Sequence, residues 1–358
     1  MKPHARWLQS LCLSLALGAA LLIDFASAQE AAETADMTAV RGPITALMVA
    51  EPARARSDAD QEVQSPPMLV AASEHRLLSY DRATLQLERG IATKLEKIHD
   101  LALAPDGELL AVAGGSPAES GALELREWPS LRLVQELRVG DDVALTARWS
   151  PDSAQLIVAL ANGKLVRVSR AGKLLGTIDA HSGAALAADW IATIAQRGTT
   201  APPIISAGRD QSLKLWEGAS HDLLRTLDQH TGEVRALVLL KNAQKPLEKQ
   251  PVRPAEVVSI AADKTVRLWQ PTIGRLVRFT KLAAAPLAIC QLGTSDRVAI
   301  GCDDGSVVVV DLRTTKIVAT FAALEGPIFS IAEISETHVV VAGNRGMLKM
   351  LDLSPRNE

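Results

Sequence analysis

Ser206, Asp210 and Trp216 occur at fixed offsets in SAGRDQSLKLW, and Ser259, Asp263 and Trp269 recur at the same offsets in SIAADKTVRLW. A histidine precedes each set, His181 in DAHSG and His230 in DQHTG. Serine, histidine and aspartate together suggest nucleophilic catalysis, in which a carboxylate orients a histidine base against a hydroxyl. That chemistry also needs a nucleophile elbow of the form G-x-S-x-G and an oxyanion-hole loop. The chain offers neither, and it writes the set twice. A second reading uses all four residues. An indole N–H only donates, a hydroxyl donates and accepts, a neutral imidazole does one of each and a carboxylate only accepts. They therefore make one directed hydrogen-bond chain from Trp216 through Ser206 and His181 to Asp210, and another from Trp269 through Ser259 and His230 to Asp263. Such chains satisfy polar groups that would be costly to bury alone.

No other motif carries chemistry. The histidines after residue 28 are His75, His99, His181, His221, His230 and His338. None forms H-x-x-x-H, and none pairs with a cysteine at zinc-site spacing. CDDGS, residues 302–306, reads as a hairpin turn rather than a calcium loop. AGGSPAESGA, residues 113–122, is glycine-rich but opens no helix and has no Lys-Ser/Thr, so it is not a phosphate cradle. It reads as an enlarged loop between two strands. No cofactor and no metal is expected.

These residues are positioned by a repeating unit of four short apolar runs. Each run has β-branched enrichment or period-two alternation, with Gly, Asp, Asn and Pro at the bounds. Seven first runs are found, near Ile44–Val49, Ile98–Ala104, Ala144–Trp149, Ala185–Trp190, Val234–Leu240, Leu287–Leu292 and Pro327–Ile334. The spacing averages about 47 residues, close to that of a propeller blade. The expected class is all-β: a single seven-bladed propeller of four-stranded antiparallel blades. The chain stops after a third run, so Asp36–Val40 is expected to supply the fourth strand of the last blade and close the ring. PLAICQL and DRVAIGC form one hairpin around Gly293–Asp296. That register sets Cys290 opposite Ala299 and points Cys302 to the other side, which argues against a disulfide.

GRDQSLKLWEG, DQHTGEV and AADKTVRLWQP resemble the WD-repeat β-propeller family. The resemblance covers nearly the whole chain after residue 28, with two well-formed repeats. In the other repeats Val310, Val168 and Leu351 stand at the Trp position, Asn162 stands at the Asp position and Tyr80 replaces the Trp of the first. The resemblance implies that each tetrad ties its third strand to the turn before it and to the loop entering the blade.

Composition bounds the function. The 358 residues are 47% hydrophobic and 22% charged, enough for a sizeable core, with only 3% aromatics. The net charge of −3 does not advertise nucleic-acid binding. Lys2 and Arg6, the apolar run from Leu8 to Ile23 and the small residues Ala26–Ala28 form a cleavable export signal, residues 1–28. The expected product is a periplasmic or secreted propeller, residues 29–358, with no span left in a membrane.

The function expected is a non-catalytic protein-interaction scaffold, monomeric, with an unidentified protein partner. Candidate partner-binding residues are the turns between second and third strands: Glu74, His75, Asn162, Arg209, Lys264, Asp303 and Arg345. Three long loops, Glu51–Pro67, Thr193–Pro203 and Lys241–Glu256, fall on the opposite face. Two alternatives stand beside the scaffold: an enzyme with its site in the channel, and a subunit of an envelope assembly, redox or sensory complex.

Overall fold

The computed structural model describes residues 42–50, 68–191, 201–241 and 254–354. The expected export signal, the strand expected at Asp36–Val40 and most of the three long loops lie outside the described residues.

Twenty-seven strands form seven antiparallel sheets in chain order. Blade one is β1 (Ile44–Ala50), β2 (Met68–Ser73), β3 (Arg76–Asp81) and β4 (Leu87–Ala92). Blade two is β5 (Lys97–Leu103), β6 (Leu109–Ser116), β7 (Ser120–Glu127) and β8 (Leu133–Gly140). Blade three is β9 (Ala144–Trp149), β10 (Gln155–Leu160), β11 (Lys164–Ser169) and β12 (Leu174–Asp179). Blade four is β13 (Ala185–Trp190), β14 (Ile204–Gly208), β15 (Leu213–Trp216) and β16 (Leu223–Leu227). Blade five is β17 (Val234–Leu239), β18 (Val257–Ala261), β19 (Thr265–Gln270) and β20 (Arg275–Lys281). Blade six is β21 (Pro286–Gln291), β22 (Arg297–Cys302), β23 (Ser306–Asp311) and β24 (Lys316–Ala322). Blade seven has three strands among the described residues, β25 (Ile328–Ser335), β26 (His338–Gly343) and β27 (Leu348–Asp352). The first strand of every blade touches the first strand of the next, and β25 touches β1, so the ring is closed.

The burial of each strand follows its place in the blade. Middle strands are apolar on both faces because both faces pack on neighbouring blades, as in β22 and β26. Innermost strands alternate, as β1 does, because their edge faces the channel. Outermost strands such as β16 are largely exposed. The core is accordingly divided into seven clusters, one per seam. Ala113, Leu125, Trp149 and Val158 fill the seam between blades two and three. Ile44, Leu69, Tyr80, Val340 and Ala342 fill the seam between blades seven and one.

Two tryptophans stitch the inner wall. Trp149 ends β9 and donates its indole N–H to the Ala102 carbonyl of the preceding blade at 3.0 Å. Trp190 ends β13 and does the same to Arg148, also at 3.0 Å. Thr45 donates to the Ile98 carbonyl at 2.7 Å, and Thr146 to the Leu186 carbonyl at 2.9 Å, joining blades one to two and three to four.

One expectation is corrected. Residues 113–122 are not an enlarged loop. They lengthen β6 and β7 into a ladder that runs out to Ser116 opposite Ser120, joined by three residues. Glycine makes this possible. Gly115 has φ +135°, and a Cβ there would collide with the Ser120 carbonyl across the ladder.

Trp190→Phe keeps an aromatic ring, though a smaller one, and leaves the Arg148 carbonyl without its donor. It should cost about 1–3 kcal/mol. The check is a lowered urea midpoint at unchanged m-value.

Candidate functional site

Both four-residue sets are assembled. Trp216 donates to Ser206 Oγ at 2.9 Å, and His181 Nε2 lies 2.8 Å from that oxygen. His181 Nδ1 lies 2.8 Å from Asp210. In blade five Trp269 donates to Ser259 at 2.8 Å, His230 Nε2 is 2.8 Å from the same hydroxyl, and Nδ1 is 2.8 Å from Asp263. A donor-only indole and an acceptor-only carboxylate at the two ends fix the polarity. Both histidines carry their proton on Nδ1 and accept from serine at Nε2. The chain runs from the third strand, through the second, to the loop entering the blade and back to the turn between second and third strands.

This geometry hides the hydroxyls. Ser206 and Ser259 are 0% exposed, and each already accepts from an indole. Neither is open to solvent. Burial, ahead of the opposing carboxylate contacts, lowers both imidazoles below their ordinary value. Burial pushes Asp210 up, but hydrogen bonds from His181, Ser212 and Lys214 outweigh it and bring the carboxyl to about 2. Asp263 likewise reaches about 2, burial being overcome by Thr265, His230 and the Thr231 amide. Lys214 and Arg267, two residues before each tryptophan, add a cation to each carboxylate at 3.2 and 3.5 Å. The sequence reading passed over them, although K-L-W and R-L-W repeat in register.

Blade two solves the same position differently. Val112 pairs with Glu124 as Ser206 pairs with Lys214, so Arg126 falls where the tryptophan stands. Arg126 and Glu124 form a buried ion pair at 2.6 Å, 4% and 0% exposed. Arg126 also donates to the Leu131 and Ala92 carbonyls, and Glu124 accepts from the Lys94 amide in the entering loop. The link from third strand to entering loop is kept with other chemistry.

All seven candidate turn residues are exposed and lie between second and third strands: Glu74, His75, Asn162, Arg209, Lys264, Asp303 and Arg345. Four of them have side chains in local bonds. Arg209 contacts Glu233 at 3.3 Å, Lys264 donates to the Ala283 carbonyl, Asp303 accepts from the Ala285 amide and Asn162 accepts from the Lys164 amide.

Beside these turns is a feature the sequence reading missed. Every innermost strand carries a β-bulge at its second or third residue, and the skipped residues are Thr45, His99, Leu145, Leu186, Arg235, Leu287 and Phe329. Bulges re-aim side chains and cluster at functional sites. These seven ring the channel mouth on the face that carries the tetrads. Six are half-exposed, and Phe329 is 37% exposed. Four are large and apolar. Arg235 lies between the Leu145–Leu186 pair and the Leu287–Phe329 pair, with Glu233 at 3.1 Å. No composition signal marks them, because one inserted residue inside an apolar run leaves the run apolar.

Further down the inner wall, Arg148 is paired with Asp100. Burial raises Asp189, which Arg148 partly offsets. Arg148 thus lies under the influence of both carboxylates. Cys290 pairs with Ala299, and the two cysteines among the described residues, Cys290 and Cys302, are free. Burial pushes Cys290 up to about 12 and Cys302 to about 11, so neither is a reactive thiolate. Among the described residues no group of three or more His, Cys, Asp or Glu is placed to hold a metal ion, and no helix is long and apolar enough to cross a membrane.

No family model matches the chain, and no curated protein matches it. Solved structures do: 1691 chains match, so the architecture is common and its presence alone names no partner. One match is a chain in the crystal structure of the mitotic checkpoint complex. It is 14% identical, covers 81% of this chain and 88% of that one, and has a TM-score of 0.66. The likeness shows the fold. The seven blades and two tetrads make this chain a WD-repeat-like β-propeller.

Asp210→Ala strands the His181 Nδ1 donor and should cost about 1–3 kcal/mol. The imidazoles of both tetrads are lowered in the folded state, so the unfolded chain takes up protons first. Stability is intact above about pH 6.5 and erodes as pH falls below it. The two carboxylates held at about 2 extend the loss below their unfolded value, about 3.9. A thermal midpoint that does not fall between about pH 7 and pH 5 contradicts this protonation pattern.

Proposed function

We propose that this chain is an exported, non-catalytic interaction platform that recognises a partner protein at the channel mouth, on the face bearing the tetrads. The observation that carries the reading is the ring of seven bulge residues. The bulges turn Leu145, Leu186, Leu287 and Phe329 partly toward solvent at one end of the channel, where a partner can reach them together with Arg235. Apolar side chains beside an arginine are also the composition of interface anchors.

The charge around the mouth suggests what the partner presents. Arg209, Arg235 and Lys264 lie on one arc with Glu233 as the counter-charge between the two arginines. A segment with two apolar side chains and a carboxylate between them fits the arrangement. The tetrads support recognition indirectly by fixing the turns that frame the mouth. Export rests on the pattern of residues 1–28 and places the encounter in the periplasm or outside the cell. A matching chain found in a multi-protein complex is consistent with a platform role.

The test uses partner capture from the exported fraction with Leu186→Asp, Phe329→Asp and Arg235→Glu. Each should weaken capture about tenfold or more while the melting temperature holds, the behaviour of interface anchors. Ile317→Asp, on the exposed outer strand β24, is the comparison and should capture normally. Loss of capture with Ile317→Asp and not with the mouth variants would move the site to the outer wall.

A further inference from the structure

Arg167, on β11, is 8% exposed and forms no ion pair among the described residues, although Glu217 acts on it through space. Its donors are met otherwise. Gln155 of β10 accepts from Nε at 3.2 Å and Nη2 at 2.6 Å, and the guanidinium lies over Trp190 at 6.0 Å. The remaining partner comes from the next blade. His221 Nε2, in the turn between β15 and β16, lies 2.7 Å from Arg167 Nη1.

A guanidinium only donates, so Nε2 must accept. The contact therefore exists only while His221 is neutral, with its proton on Nδ1. Protonation would set a cation against a cation within hydrogen-bond distance. The turn holds the imidazole in place by its own bonds. His221 has φ +69° and its backbone N–H donates to the Glu217 carbonyl at 3.1 Å, while the Glu217 carboxylate accepts from the Ala219 and Ser220 amides. Ser220 bonds Asp222 at 2.7 Å. On the facing blade, Gly176 of β12 leaves room for the ring, which a Cβ there would overlap.

We propose that the His221–Arg167 contact is a proton-operated latch across the seam between blades three and four, closed while His221 is neutral and released when it is protonated. The groups around His221 agree with this. Burial and Arg167 disfavour its charged form, and Glu217 and Asp222 of its own turn favour it, with the balance lowered. Gln155 from β10, Gly176 from β12 and Trp190 from β13 bring no charge. Above about pH 6.5 the ring is neutral whether or not the latch is closed. As pH falls below that value, the released state takes up the proton first, and the seam loosens from its outer edge.

The latch differs from the tetrads in location. Each tetrad bridges loops on the mouth face, whereas His221 joins two blades from the opposite side. Its release frees a buried arginine without breaking the ring of innermost strands.

The experiment is hydrogen exchange on the full chain at about pH 7.5 and pH 5.0, with rates corrected for intrinsic chemistry. Protection of β12 and of residues 217–222 should fall at the lower pH, because the released state binds the proton more tightly. Peptides from β22 and β26 should change far less. In His221→Gln an amide oxygen can accept from Arg167 and cannot titrate, so the extra loss at β12 and residues 217–222 should vanish, leaving only the loss that the tetrads impose on all blades. An equal extra loss in the variant, or a loss in the unsubstituted protein no greater at β12 and residues 217–222 than elsewhere, would each overturn the proposal. Should the variant fail to fold, the His221 Cε1–H titration by NMR of the unsubstituted protein decides: a midpoint well below 6.5 supports the latch, and one at or above 6.5 overturns it.

Discussion

The structure depends on the packing of each sheet against two others. No blade can stand alone, because its second strand is apolar on both faces, and a single sheet would leave both of those faces in water. Seven clusters of buried side chains, one per seam, remove that surface only if the ring closes. Closure in turn fixes what each strand position tolerates. Innermost strands are held edge-on to the channel, so a single bulge residue in each is free to face solvent. Outermost strands face solvent, and they mix polar residues with exposed apolar ones such as Val134, Leu174, Leu223 and Phe279. The small aromatic content follows from the same geometry: seams between twisted sheets are filled by Val, Ile, Leu and Ala, and four of the six tryptophans serve as hydrogen-bond donors at fixed places.

One position in the blade shows how different chemistry meets the same demand. The third strand must be tied to the loop that enters the blade. Blades four and five do it with Trp, Ser, His and Asp. Blade two does it with a buried glutamate and arginine that also reach three backbone groups. Blades six and seven use apolar residues: Leu282, Ile300 and Val310 lie in one cluster, and Leu324, Val341 and Leu351 in another. Replacing a buried polar network by well-packed apolar side chains is often neutral for stability, whereas removing one member of a network is not. Drift among blades is therefore permitted so long as a whole solution is exchanged, which is why most repeats of this chain look degenerate while the ring is regular.

What was legible in the sequence follows from this. The tetrads could be read because four residue types recur at fixed offsets, and the seven first strands because their turns carry Gly, Asp and Pro. Cys290 opposite Ala299 followed from the parity of a tight hairpin. The glycine-rich segment of blade two was misread because glycine marks loops more often than it permits close strand approach, and only the register shows which applies. The bulge ring could not be read at all. It is a property of pairing, one unpaired residue per strand, and Leu145, Leu186, Leu287 and Phe329 look like any other core-forming residues in a linear string. Glu124 and Arg126 escaped for a similar reason: alternate charged residues on a strand normally describe a solvated face.

The functional account stands on which end of the channel meets the partner. Lys97, Lys164 and Lys264 lie toward the mouth, while Lys173 and Lys316 lie at the far ends of outer strands. Cross-linking with mass spectrometry on the complex purified from the exported fraction reads this directly. The account predicts partner cross-links at Lys97, Lys164 and Lys264. Cross-links confined to Lys173 and Lys316 would contradict it.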